Sequence, residues 1–224
     1  MSSRILSIDT TTEFGSLALL DGPEVVDEVL LHSVDGFGRI LFPRLEQLLA
    51  RNGWALSGID CVASASGPGS FTGVRIGLAA AKGLAEALGK PVVAVSNLQA
   101  LAWFGSAPLR ATVLDARRGE IYGAVYSASL ELVCGETVAR FPAWSAALPD
   151  GELEFISTDF SPFRAALSGT RFDGAKVLEA PRALAAAIGR IALGRFERGL
   201  AANAAEADAN YVRRSDAELL WKDR

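Results

Sequence analysis

The 224 residues predict an α/β fold of two lobes. Three observations carry that prediction. Three β-prone segments separated by turn residues open the chain, and alternating helical and strand-like segments follow them. The same opening (apolar strand, terminal aspartate, polar turn, second strand) returns about a hundred residues later, the mark of a duplicated unit or of two hairpins alike by chance. Apolar residues make up 50% of the chain and charged residues 21%, which supplies a core and excludes a disordered chain. At roughly 150 residues per domain the length fits one large domain or two small ones, and the boundary is expected between residues 1–104 and residues 105–224.

Taken in order, residues 5–9 form a strand ending in Asp9, residues 10–15 a turn, and residues 16–20 a second strand. Asp21, Gly22 and Pro23 then turn the chain into a third strand, 25–31. Ile40, Leu41, Leu45, Leu48 and Leu49 fall on one helical stripe, with Pro43 in its first turn or at a kink and Asn52-Gly53 as its stop. Residues 61–66 are a buried strand, 74–88 a helix, 91–95 another strand, and Ser96 caps a helix through Trp103. The second lobe, joined near 105–109, repeats the plan with strand 111–114, Asp115, a turn through Arg117, Arg118, Gly119 and Glu120, and strand 121–126. Residues 130–133 complete that meander, 154–157 and 176–178 add short strands, and 182–198 is a helix with Leu184, Ile188 and Ile191 on one face. Residues 211–221 form a charged tail.

Twenty-two Lys and Arg against 26 Asp and Glu leave a net charge of −4, so the surface as a whole repels phosphate backbones. An RNA partner would need a second protein. Cys61 and Cys134 match neither a disulfide framework nor a zinc spacing and read as free thiols of a reducing compartment. Arg75 and Lys82, or Arg182, Arg190 and Arg195, break the most apolar stretches before a membrane helix is reached, and residues 1–4 leave no room for a leader; a cytoplasmic protein is expected. His32 is the only histidine, and no GxSxG elbow occurs, which argues against a serine hydrolase.

Residues 67–77 read GPGSFTGVRIG between a strand and a helix. Glycines permit the bend and Ser70 or Thr72 can cap the helix. Phe71 in a glycine loop and Arg75 at the end of the helix that disfavours a cation are left over by that reading, and they suggest a surface that something else covers. The segment matches neither the P-loop nor the dinucleotide fingerprint. Gly73, Gly77 and Ala81 recur every four residues beside Ala80 and Leu84, a flat stripe that packs either on the chain's own sheet or on another subunit. Leu41, Leu45 and Leu48 are either the other half of that contact or core.

Four segments, ILSIDTTTEFGSLALLDG at 5–22, GPGSFTGVRIGLAAAKGLAEALG at 67–89, VLDARRGEIYGAVY at 113–126 and YVRRSDAELLW at 211–221, make the chain similar to the TsaB family of bacterial threonylcarbamoyladenosine biosynthesis proteins. The resemblance implies the actin-like, Hsp70-like ATPase (ASKHA) fold with two ribonuclease-H-like lobes. It implies a partner of the catalytic TsaD and the ATPase TsaE, which together move a threonylcarbamoyl group from its adenylate to the adenosine beside the anticodon of tRNA. In that resemblance TsaB has no transfer chemistry, forms homodimers and TsaD heterodimers through N-lobe helices, and meets tRNA, ATP and Mg only through the complex. The expected interface is therefore Leu41, Leu45, Leu48, Ser70, Phe71, Thr72, Gly73, Arg75, Gly77, Ala80, Ala81 and Leu84. One histidine cannot supply the metal site of TsaD-like subunits, which uses a histidine pair, and no Gly-Gly pair exists to grip an adenosine. Asp9 and Asp115, with Thr10 and Thr11, are either remnants of a nucleotide cleft or ties for their own turns. An autonomous ATPase or small-molecule kinase built on those residues is the rival function. Asn210 before Tyr211 and the glycines of SVDGFGRILFP after His32 depart from the family's look.

Overall fold

The computed structural model describes residues 2–213. It divides into two units, Met1–Asn97 with Arg182–Asn210, and Leu98–Pro181 with the tail from Tyr211. The expected boundary at 104/105 thus moves to 97/98, and the segment 182–210, expected in the second lobe, belongs to the first.

In the first unit β1 (Arg4–Asp9), β2 (Phe14–Asp21) and β3 (Glu24–His32) form an antiparallel meander, and β4 (Cys61–Ala65) and β5 (Val92–Val95) extend it in parallel. The order is β3-β2-β1-β4-β5. Pairing Leu6 with Leu19 and Val62, and Ile8 with Leu17, puts these side chains on one face. They join one buried cluster with Leu41, Leu45, Leu48 and Leu49 of α1 (Leu41–Arg51) and Ala80, Ala81 and Ala85 of α2 (Phe71–Leu88). Burying each such leucine contributes about 2 kcal/mol. Pro43 lies in the first turn of α1, and Asn52 and the left-handed Gly53 end it, as the stop signal predicts. Ser70 starts α2 three residues before the expected position, its hydroxyl accepting from the Gly73 N–H at 3.3 Å.

The opposite face is covered by the last helix among the described residues, Ala185–Glu197. No side chain of its own caps it, and the sheet supplies the acceptors. Ser16 Oγ accepts from the N–H groups of Leu184 and Ala185 at 3.1 and 2.9 Å, and Glu28 accepts from that of Ala186 at 2.7 Å. Beyond the helix, Ala202 bridges Val92 and covers part of the β5 edge, and the Lys82 ammonium donates to the carbonyls of Ala205 and Ala207.

The second unit repeats the plan. After α3 (Asn97–Ala102), strands β6 (Leu109–Arg117), β7 (Glu120–Ser127), β8 (Leu132–Ala139), β9 (Leu153–Ser157) and β10 (Val177–Glu179) take the order β8-β7-β6-β9-β10, the arrangement of the first sheet. The duplication is real in topology. Strand β8 runs to Ala139, well past the expected 130–133. Two unexpected helices, α4 (Phe141–Ala146) and α5 (Ser161–Arg164), are too short for a period, and each carries a proline, Pro142 and Pro162, in its first turn. Short helices bury little, and rings make up the area: Phe141, Trp144, Phe155, Phe160 and Phe163 form the core, with Phe141 stacked on Phe163 at 5.3 Å. By chain order the helix Ala185–Glu197 is α6. No helix among the described residues is long and apolar enough to cross a membrane.

Candidate functional site

The motif-bearing residues of the first unit meet where β1 and β4 end. β1 delivers Asp9 to the turn Thr10–Thr12, and β4 runs into the loop 66–70 and then α2. The two segments clasp each other. Thr10 Oγ1 donates to the Gly73 carbonyl at 2.7 Å, and the Ser70 N–H donates to the Thr11 carbonyl at 2.7 Å. Asn97 ties the loop from behind, its N–H donating to Gly67 O at 2.9 Å and its Oδ1 accepting from the Gly67 N–H at 3.1 Å. The Asn210 N–H donates to Ser66 O at 2.8 Å.

This clasp explains the glycines. A Cβ on Gly73 would run into the Thr10 carbonyl oxygen, and one on Gly77 would stand 2.6 Å from Thr10 Oγ1. Gly73, Gly77, Ala80 and Ala81 are buried against the chain's own sheet, so they cannot be the intersubunit stripe that the four-residue repeat suggested. Leu41, Leu45 and Leu48 are corrected in the same way, since each is at most 2% exposed within the single chain.

The phosphate-binding reading of the threonines also gives way. Thr10 and Thr11 are buried, and Thr11 donates to Asp9 Oδ1 through its N–H at 2.9 Å and its Oγ1 at 2.6 Å. Asn97 Nδ2 donates in turn to Thr11 Oγ1 at 2.7 Å. Burial pushes the Asp9 carboxyl above its ordinary range, against the lowering effect of the bonds from Thr11 and Asn97. Asp115 lies in the other unit and is exposed; its Oδ1 accepts the Arg117 N–H at 2.7 Å. Each aspartate ties its own turn. Among the described residues no three His, Cys, Asp or Glu side chains converge as metal ligands.

His32 is exposed at the end of β3, its ring 4.7 Å from that of Phe14. Cys61 and Cys134 are free thiols, and burial pushes that of Cys61 up to about 12. Arg213 of the tail donates to Ala116 O at 2.8 Å and pairs with Glu120, while residues 214–221 lie outside the described residues.

What faces solvent is the other side of α2. Ser70, Phe71, Thr72 and Arg75 of the expected interface are exposed there, and Leu84 is half-buried. The Arg75 guanidinium lies 3.6 Å from the centroid of the Phe71 ring, a cation–π contact that accounts for a cation at this end of a helix. Ala79 and Gly83, one turn apart, are also exposed, and a Cβ at Gly83 would meet open space. Sequence reasoning missed this outward pair because α2 is small-residue-rich all round. It missed Phe42 of α1 as well, which is 52% exposed beside the buried leucines.

A family model described as "TsaD: tRNA N6-adenosine threonylcarbamoyltransferase" matches residues 35–212. The chain is 31% identical to the tRNA threonylcarbamoyladenosine biosynthesis protein TsaB of Bacillus subtilis (strain 168), over 97% of each protein. It belongs to the TsaB family. The TsaB of Escherichia coli (strain K12) is 41% identical over 127 residues, 55% of this chain, which thus spans about half the length of that relative (54%). Among solved structures, YeaZ from Pseudomonas aeruginosa superposes with a TM-score of 0.80 at 28% identity, covering 93% of this chain and 99% of that one. The TsaB-family fold is the two-lobed, actin-like ASKHA architecture that the resemblance implied.

Proposed function

We propose that this chain is an accessory subunit in the synthesis of threonylcarbamoyladenosine in tRNA, docking a TsaD homologue through the outward face of α2 and contributing no catalytic group. The observation that carries the reading is the division of α2. Its inner face is filled by Thr10 and the sheet, while its outer face offers Phe71, Arg75, Ala79 and Gly83 to solvent. Flat small positions flanked by an aromatic suit close approach of a second helix. Because the chain is itself similar to TsaD over residues 35–212, a pairing of the two related helices about a pseudo-twofold axis is the economical geometry, and the same face would serve a homodimer. TsaE, ATP and Mg enter in the complex, in the cytoplasm.

The test is capture of the TsaD homologue by the tagged chain from its own cells. Ala79→Arg with Gly83→Arg is expected to keep the wild-type melting temperature and lose the TsaD homologue. Retention by that variant overturns the docking face. MgATP binding by the isolated chain that Asp9→Asn abolishes would establish the rival ATPase.

A further inference from the structure

One edge of the first sheet is left open. At the β5 edge Ala202 bridges Val92, whereas β3, nine residues long, is paired on its β2 side only. The Ser33 N–H donates inward to Glu13 O at 3.0 Å, so by alternation the backbone groups of Glu28, Leu30 and His32 point away from the sheet, and no backbone group among the described residues answers them. Proteins commonly blunt such an edge with a bulge or a charge. The bulge of β3 lies near Val26, where its register on β2 shifts between Leu19 and Leu20, and the stretch Glu28–His32 is regular. Leu30, in the middle of that stretch, is 48% exposed. The side chains on its α6 side change character from one end to the other. Ala18 opposes Glu28, Ser16 opposes Leu30 and Phe14 opposes His32. Glu28 accepts the Ala186 N–H through Oε1 at 2.7 Å. At the other end the His32 ring stacks on Phe14 at 4.7 Å, and the exposed Arg182 guanidinium lies 4.1 Å from the same Phe14 ring and is ion-paired with no described carboxylate. A strand with an acid at one end, a leucine in the middle, and an imidazole beside a guanidinium at the other is complementary to itself after a half-turn.

We propose that β3 pairs antiparallel with β3 of a second copy of this chain, about a twofold axis at Leu30, and so joins the first-unit sheets of two copies into one. In that register Leu30 faces Leu30, and Glu28 faces His32 with Arg182 beside it. The same register brings Val26 toward Val34 of the other copy, and both are exposed in the single chain. An axis at Glu28 would instead set two carboxylates opposite each other, which is unfavourable. α2 packs on β1, β4 and β5, so this edge is distinct from the docking face proposed above.

The full chain carrying Ala79→Arg and Gly83→Arg, which remove self-association through α2, is followed by sedimentation velocity from low to high micromolar concentration. It is expected to pass from monomer to dimer. Adding Leu30→Lys sets two ammonium groups together at the axis and leaves the intramolecular backbone bonds of β3 in place. That change is expected to weaken the dimer at least about tenfold at an unchanged melting temperature. Leu30→Met, apolar and of similar volume, is expected to keep the dimer. His32→Glu, a change at an exposed ring, opposes Glu28 with a second acid and is expected to weaken the dimer as well. A background chain that stays monomeric at every concentration, or a dimer that survives either Leu30→Lys or His32→Glu, overturns the proposal. Retention of the TsaD homologue by the Ala79→Arg, Gly83→Arg chain overturns the docking face instead and leaves this contact standing.

Discussion

The hairpins that open the two units share a plan and put it in opposite surroundings. β1 ends in Asp9 and β6 carries Asp115 two residues before its end, and each carboxylate accepts the N–H two residues on, Asp9 from Thr11 at 2.9 Å and Asp115 from Arg117 at 2.7 Å. Around Asp9 the glycine loop and α2 close over the turn, so the carboxyl is buried and its threonines are committed inside. The turn at Asp115 stays exposed and carries arginines. The tie is local and survives duplication. Burial depends on the segment after the parallel neighbouring strand, which is a glycine loop with an 18-residue helix after β4 in one unit and the four-residue α5 after β9 in the other.

The largest effect that would break this comparison is expected at Gly73. Gly73→Val drives a side chain into the Thr10 carbonyl and is expected to cost more than about 3 kcal/mol, read as a collapse of the urea midpoint. Near wild-type stability in that variant would mean that the clasp is not as tight as described. A smaller, pH-dependent effect belongs to Asp9. Its carboxyl is raised from the ordinary 3.8 by burial, so the unfolded chain releases the proton first. That group's stability is therefore full below about pH 4 and is lost as pH rises through the folded value. Glu28, raised by burial from 4.5, adds a loss of the same sign. Asp9→Asn is expected to flatten the fall of the urea midpoint with rising pH, and Asp9→Asn with Glu28→Gln to flatten it further; a variant as steep as wild type would contradict the burial of Asp9. The smallest effect is expected at Gly119, which is left-handed with open space around it. Gly119→Ala costs about 1 kcal/mol, from backbone strain alone, in the same urea assay.

Much of the fold was legible in the sequence because its signals are short-range. The strand runs, the stop at Asn52-Gly53 and the repeated strand, Asp and turn pattern all reappear as elements of the structure. Two kinds of error remain. Short elements such as α4 and α5 carry fewer residues than one helical repeat needs to show itself, and they are defined by packing of their phenylalanines. The helix of residues 182–198 was well placed along the chain but set in the wrong unit, because its caps, Ser16 and Glu28, come from strands more than 150 residues earlier.

The candidate site divides in the same way. Phe71 and Arg75 stood out in the sequence because each violates a local rule, and the structure explains the pair by stacking one on the other. The small residues of α2 violate nothing, and a period of four names several stripes without saying which is inside. Gly73, Gly77 and Ala81 turned inward and Ala79 and Gly83 outward because Thr10 reaches across to the Gly73 carbonyl and sets the rotation of the helix. Periodicity, capping and turn chemistry are properties of neighbouring residues and can be read from their order. Which face is buried is decided by residues distant in the chain, and only their meeting in three dimensions assigned the interior leucines of α1, the closed turn at Asp9 and the open face of α2.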